Sequence, residues 1–234
     1  MTATLTTSET SPEELAERMV GRKVLMQVDK PPAKPSAIKL EVDNLRCTDS
    51  SGVERLKGIS LSLRAGEVLG IAGVAGNGQS ELLEILGGYR EGSGSIRVAG
   101  NKIDLTGHGS DGQSRRNNSI AHVPEDRQRA GLIMNFKAWE NMVFGYHHAE
   151  EYQAGPLMNN TTIRAEADDK MSRFDIRPAN GGLEAKSFSG GNQQKIVLAR
   201  EIERNPDILL VGQPTRGVDI GAIEFIHQQI IKLR

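Results

Sequence analysis

A short apolar run, Val68–Ala72, leads directly into Gly73-Val-Ala-Gly76-Asn-Gly78-Gln79-Ser80, and the helical stretch Ser80–Leu86 follows. No other feature narrows so sharply what this chain can fold into. A small-apolar run without alternation reads as a strand covered on both faces, and the helix stops at Gly87-Gly88. Between the two, glycines let successive backbone N–H groups turn inward, and the helix start adds the positive end of its dipole. Strand, glycine loop and helix in this order predict an α/β fold around a parallel sheet, with an anion such as phosphate held in the loop. A glycine-rich turn without a ligand is the alternative.

The phosphate-loop pattern calls for lysine before the hydroxyl residue. Here Gln79 stands in that place, so a neutral amide faces charge that lysine would offset. Ser80 keeps a hydroxyl placed for Mg²⁺.

Elsewhere the periodicity is two. Ile38, Leu40 and Val42 alternate with polar neighbours, as do Ile59, Leu61 and Leu63. Both read as half-buried strands, most simply an antiparallel pair. Ser95–Val98 and Ile103–Leu105, joined through Gly100-Asn101, read as a hairpin, and Ile120–Val123 as a strand ended by Pro124. Residues 125–186 show no clear strand pattern. Ile163, Ala167, Met171 and Phe174 share one helical face, which predicts a mostly helical insert. Gly190-Gly191 opens a helix through Ile202, Ile208–Val211 is a second buried strand, and Gly221–Arg234 has helical spacing. At the head, Ser11-Pro12-Glu13-Glu14 reads as a capping box before a short helix, and Lys30–Pro35 as a proline-rich linker. The main domain therefore starts near Ser36.

Composition removes some function classes. Lys plus Arg number 29 against 30 Asp plus Glu, so no global field draws nucleic acid or an anionic membrane. The lone Cys47 excludes an internal disulfide and suits a reducing compartment. No apolar stretch is long enough to span a bilayer, and the Thr- and Ser-rich start lacks the pattern of a secretion signal. The expectation is a soluble cytosolic chain.

A second glycine-bearing helix start, Phe188-Ser189-Gly190-Gly191-Asn192-Gln193-Gln194-Lys195, repeats the logic of the first. Ser189 offers a hydroxyl and the glycines expose N–H groups where an anion can sit. On spacing alone, an ordinary serine-capped helix is the favoured reading. The order of glycine loop, VPEDR at 123–127, SGGNQQK, then ILLVGQPTRGVD at 208–219 resembles an ATP-binding cassette. It is most similar to the second cassette of the tandem ATPase subunit in bacterial importers for simple sugars and nucleosides, and GVAGNGQSEL, PEDR, SGGNQQK and PTRGVDIGA are close to the nucleoside branch. The resemblance runs from about Ser36 to the end, and SPEELAERMVGR resembles the final helix of a preceding cassette, so residues 1–35 are expected to be that tail plus a linker.

What the resemblance implies is specific. The fold is a P-loop cassette with a parallel core sheet, an antiparallel β subdomain and a helical subdomain at about 125–186. ATP and Mg²⁺ are the expected ligands. Gly73, Gly76, Asn77, Gly78, Gln79, Ser80 and Glu81 match the phosphate loop, with Ser80 and Glu125 as candidate metal contacts. Glu125 stands where many cassettes place the glutamine that senses the γ-phosphate and Mg²⁺; a carboxylate favoured by a helix start is the alternative. Ser189, Gly190, Gly191 and Gln193 match the signature that covers ATP on an opposing cassette, and Asp219 matches the loop crossing between cassettes. The implied partners are the preceding cassette or a second cassette chain, and membrane permease subunits, at the cytoplasmic face of the bacterial plasma membrane.

Departures from the family pattern bear on hydrolysis. After Ile208–Val211 a hydrolytic cassette presents Asp, which helps hold Mg²⁺, then Glu, which polarises the attacking water. This chain has Gly212 and Gln213, and an amide cannot accept the proton a general base must take. No aromatic residue lies in Arg46–Leu56, where cassettes usually stack a ring on adenine, and the final strand bearing the switch histidine is not among these residues. The expected role is a cassette with little or no hydrolysis at its own site that lends an intact signature to its partner. A self-sufficient ATPase and a regulatory cassette with little nucleotide binding are the competing readings.

Overall fold

The computed structural model describes Thr4, Thr6, Ser8 and residues 10–21 and 30–234; the rest of the expected 1–35 segment lies outside these residues. Alternation sets the first sheet. In β1 (Ile38–Thr48), Leu40 and Val42 face inward, and a bulge with Asn44 at φ +48° brings Leu45 and Cys47 back to the same face. β2 (Glu54–Arg64) pairs antiparallel with it, Leu40 opposite Leu63 and Val42 opposite Leu61. β3 (Ser93–Val98) takes the other edge of β1, and β4 (Asn101–Ile103) closes the order β2-β1-β3-β4. The β3–β4 turn falls at Ala99-Gly100, both at positive φ, one residue before the pair that the sequence suggested. Helix α2 (Gln79–Gly87) lays Leu82, Ile85 and Leu86 into one core with Leu40, Leu45 and Ile96.

The parallel pair joins that core to a second one. β5 (Ile120–Val123), preceded by α3 (Gly112–Asn117), runs beside β8 (Ile208–Val211), with Val123 opposite Val211. Along β8, Ile208 and Leu210 pack into the first core while Leu209 and Val211 meet the helical one. The helical core is built by α4 (Ala138–Val143), α5 (Asn160–Arg173), α6 (Gly190–Ile202) and α7 (Ile220–Leu233). Ile163, Ala167, Met171 and Phe174 are buried, as their spacing requires. The insert also holds a two-residue ladder, β6 (Gln153–Ala154) with β7 (Leu157–Met158), turned at Gly155, so it is not purely helical. At the head, α1 (Pro12–Val20) is capped by Ser11, whose Oγ accepts from the Glu14 N–H, and ends at Gly21 at φ +78°.

One expectation fails. Val68–Ala72 is not a sandwiched strand: Val68 is 53% exposed, Ile71 54% and Val74 74%. Among the described residues β5 and β8 pair only with each other. An apolar run becomes a buried strand only where neighbours accept its hydrogen bonds, and here none of the described strands runs alongside it. None of the described helices is long and apolar enough to cross a membrane.

Candidate nucleotide site

The glycine loop takes the backbone shape its sequence demands. Gly76 and Gly78 have φ of +88° and +100°, a region closed to most L side chains. Gly78 is further constrained, since a Cβ there would lie 2.7 Å from the Arg55 carbonyl oxygen. Gly78 is buried and caps α2, while Gly73 to Asn77 face solvent. The Asn77 N–H donates to the Val74 carbonyl at 3.2 Å, and Arg55 Nη1 donates to the Gly76 carbonyl at 3.3 Å. Gln79 turns back into the loop: its Nε2 donates to the Val74 carbonyl at 3.2 Å and sits 1.9 Å from where a Gly73 Cβ would be. The amide thus occupies the inside of the cradle. Glu81 lies in the first turn of α2, half-buried.

The two candidate metal contacts meet. Ser80 Oγ donates to Glu125 Oε2 at 2.7 Å, although 45 residues separate them in the chain. A hydroxyl and a carboxylate side by side are oxygen donors of the type a hard divalent cation takes. At the end of β8, Gly212 is buried and Gln213 is exposed with φ +40°, a conformation few non-glycine residues adopt. Nothing carboxylic stands at either position.

The second glycine motif caps α6. Ser189 Oγ accepts from Asn192 N–H at 3.4 Å and from Asn192 Nδ2 at 2.9 Å, and it remains exposed. Gly191 is packed so closely that a Cβ would lie 2.9 Å from Asp219 Oδ2. Asp219 itself caps α7, accepting from Ala222 N–H at 2.9 Å. Gln193 is placed differently from Ser189. It is buried, its Nε2 donates to the Ala185 and Phe188 carbonyls at 3.2 and 3.0 Å, and its Oε1 accepts from Gln128. Its amide shapes the loop beneath the motif.

The ABC transporter family profile matches residues 56–216. This chain belongs to the ABC transporter family. The cassette is 40% identical over 233 residues to the Guanosine import ATP-binding protein NupO of Bacillus subtilis, covering 99% of this chain and 45% of that protein. It is 42% identical over 223 residues to the Nucleoside import ATP-binding protein NupA of Lactococcus lactis, covering 95% of this chain and 43% of that one. The chain therefore spans about half the length of these curated relatives. Among solved structures, the dimeric structure of MJ0796, a bacterial ABC transporter cassette, superposes with a TM-score of 0.70 at 26% identity, covering 83% of this chain and 82% of that one.

Two residues of the cassette's site went unnoticed in the sequence. Arg127 donates from Nη1 to the Arg216 carbonyl and from Nη2 to the Gly217 carbonyl, beside Gly190. Arg55 holds the glycine loop from β2 while paired with Asp49 at 2.7 Å. Arg127 was visible inside PEDR, but its partners, about 90 positions on, were not.

Proposed function

We propose that this cassette binds ATP with Mg²⁺ in its own loop without turning it over efficiently, and that its Ser189–Gly191 face covers ATP held by an opposing cassette. The observation that carries the reading is the end of β8. Gly212 and the exposed Gln213 offer neither an acid nor a base beside the loop, whereas Ser189 is exposed at the start of α6, with Gly190 half-buried behind it. Loss of a positioned base typically costs ~10²–10⁴-fold in rate.

Each residue then has a defined task. Backbone N–H groups around Gly76 and Gly78 receive phosphate oxygens, and the Gln79 amide adds a donor without charge. Ser80 and Glu125 hold the cation, which when bound neutralises phosphate charge. Asp219 keeps Gly191 and the start of α7 in register at the cassette–cassette face. The dimeric form of the similar MJ0796 cassette supports such a pairing.

The names of the relatives, which specify guanosine and nucleoside import, support a wider role. We assign this chain to the ATPase of an importer for nucleosides or simple sugars, as the second, degenerate cassette beside a preceding one or a second cassette chain. Residues 1–35 then belong with that preceding cassette, and the main domain with 36–234. The helical part at about 125–186 meets membrane permease subunits, which places the assembly at the cytoplasmic face of the bacterial plasma membrane.

The direct test is melting of the chain with and without Mg²⁺ and ATP, alongside phosphate release. At ATP one-hundredfold over Kd, binding adds about 2.7 kcal/mol, a rise of roughly 5–10 °C for a chain of this size. Stabilisation that Ser80→Ala reduces, with negligible phosphate release, supports the proposal. Brisk hydrolysis abolished by Ser80→Ala would establish a self-sufficient ATPase instead, and no ATP effect a purely regulatory cassette.

A further inference from the structure

Arg55 lies along the outside of the glycine loop. Its backbone carbonyl oxygen closes on Gly78, 2.7 Å from where a Cβ would be, and its side chain runs on to Gly76, donating from Nη1 to the carbonyl at 3.3 Å. From the other side Asp49 Oδ2 accepts from Nε at 2.7 Å. Asp49 is itself fixed, because its Oδ1 accepts from the Ser51 and Val53 N–H groups at 2.8 and 3.0 Å in the turn between β1 and β2. The Arg55 hydrogen bond, then that of Val53, hold the Asp49 carboxyl below its ordinary pKa. The pair therefore stays ionised at neutral pH and the fork stays in place.

A guanidinium held in this way offers its plane more than its charge. Nε and Nη1 are engaged on the edge, and the carboxylate at 2.7 Å offsets the charge, while 36% of the side chain is open to solvent. The faces of a guanidinium stack on aromatic rings. Elsewhere the chain satisfies that preference internally: Arg116 and Arg204 lie over Tyr146, and Arg164 over Trp139. Among the described residues no ring lies over Arg55, and β1 and β2 contain no Phe, Tyr or Trp.

The two ends of a bound triphosphate are not equivalent. Mg²⁺ joins oxygens of the β- and γ-phosphates, and the oxygens this chain offers it, on Ser80 and Glu125, stand at the start of α2. The nucleoside end then lies away from that pair, on the Gly76 side of the loop, where Arg55 stands. We infer that Arg55 is the stacking platform for the nucleobase, and that the site takes a purine nucleoside triphosphate by the face of its base and not by its edges. Asp49 fixes the orientation of that platform. The inference rests on the reading that the loop holds ATP, and adds the group that receives the base.

The test is calorimetry with the Mg²⁺ complexes of ATP, GTP and tripolyphosphate, the last carrying phosphates without a base. Stacking reads no base edge, so the parent should bind ATP and GTP within about threefold of each other. Arg55→Ala should weaken ATP by about tenfold while tripolyphosphate stays within about twofold. Arg55→Lys keeps a charge and loses the plane, so it should weaken ATP by a similar factor. Should Arg55→Ala fail to fold, Arg55→Lys decides by itself. Equal loss of ATP and tripolyphosphate in Arg55→Ala, restored in Arg55→Lys, would make Arg55 a charge for the phosphates and overturn the inference. ATP affinity unchanged in both variants overturns it too, as does a parent that prefers ATP over GTP by more than about tenfold, because another group then reads the edge. These outcomes leave the nucleotide reading intact. A parent that binds neither ATP nor tripolyphosphate overturns both.

Discussion

Arg127 clamps Gly217: its Nη2 donates to the Gly217 carbonyl at 3.2 Å while Nη1 takes the adjacent Arg216 carbonyl at 2.8 Å. The same Nη2 would stand 2.5 Å from a Cβ on Gly190. Two positions earlier, Glu125 holds Ser80. One short segment thus touches the start of α2 with one residue and the start of α6 with another. A bidentate fork is what arginine provides and lysine does not. Arg127→Lys and Arg127→Ala should both speed hydrogen exchange at the amides of 217–220 and 190–192. Unchanged protection in Arg127→Ala would show that the clamp contributes nothing to the order of these loops.

Gln79 offers the simplest gain of function. Its amide already lies inside the loop, so a lysine ammonium at that position would approach phosphate oxygens without rebuilding the backbone. Hydrogen bonds to charged groups contribute about 1.5–3 kcal/mol, so Gln79→Lys should tighten ATP by roughly 10–100-fold in calorimetry. No tightening would mean that the loop does not close around phosphate.

His122 should make stability fall in mild acid. The ring is buried against Tyr89, with centroids 5.1 Å apart, and neither ring nitrogen has a hydrogen-bond partner. Burial is the main reason its pKa drops to about 4; Arg116 and Arg200 lower it further while Glu201 opposes them. With the folded value depressed, the unfolded chain takes up a proton near pH 6.5 and the folded one does not until about pH 4. Stability contributed by the neutral ring is therefore present above pH 6.5 and lost towards pH 4, by about 3 kcal/mol. Melting curves of the parent and His122→Leu should diverge across that window, with the shallower slope in the variant. Parallel curves would exclude His122 as the source.

The same region holds a buried ion pair. Arg200 Nε meets Glu201 Oε1 at 2.7 Å, Arg200 Nη1 donates to the Gly131 and Asn141 carbonyls, and Tyr146 donates its hydroxyl to Glu201 Oε2 at 2.7 Å. Burial, reinforced by the Glu201 charge, raises the Tyr146 pKa and keeps that proton in place. Glu201→Leu strands a buried guanidinium and should cost about 3–5 kcal/mol. Pairing it with Arg200→Met should recover most of the loss in denaturant melts. A double variant no better than the single one would contradict this account of the pair.

Much of the fold was legible because the signals were local. Alternation placed β1 and β2, one helical face placed Ile163, Ala167, Met171 and Phe174, and Ser11 and Ser189 marked helix starts. Val68–Ala72 misled because apolarity reports a preference for burial, not the presence of a neighbour. At the site, Ser80 and Glu125 were each identifiable from motif position, and the structure brings them together. The hold of Arg55 on the glycine loop was invisible, since its partners Asp49 and Gly76 meet only once β1, β2 and the loop are folded together. Gln193 shows the converse: a motif position drew attention to a residue whose amide is spent inside the loop.

The central claim is that this cassette completes a nucleotide site on another. ATP turnover by this cassette paired with the opposing cassette of the proposed assembly, carrying Ser189→Arg, tests it most directly, because Ser189 is exposed and caps α6 without entering the core. The account predicts that turnover collapses while ATP affinity of this chain's own loop is unchanged. Turnover equal to the parent's would contradict it.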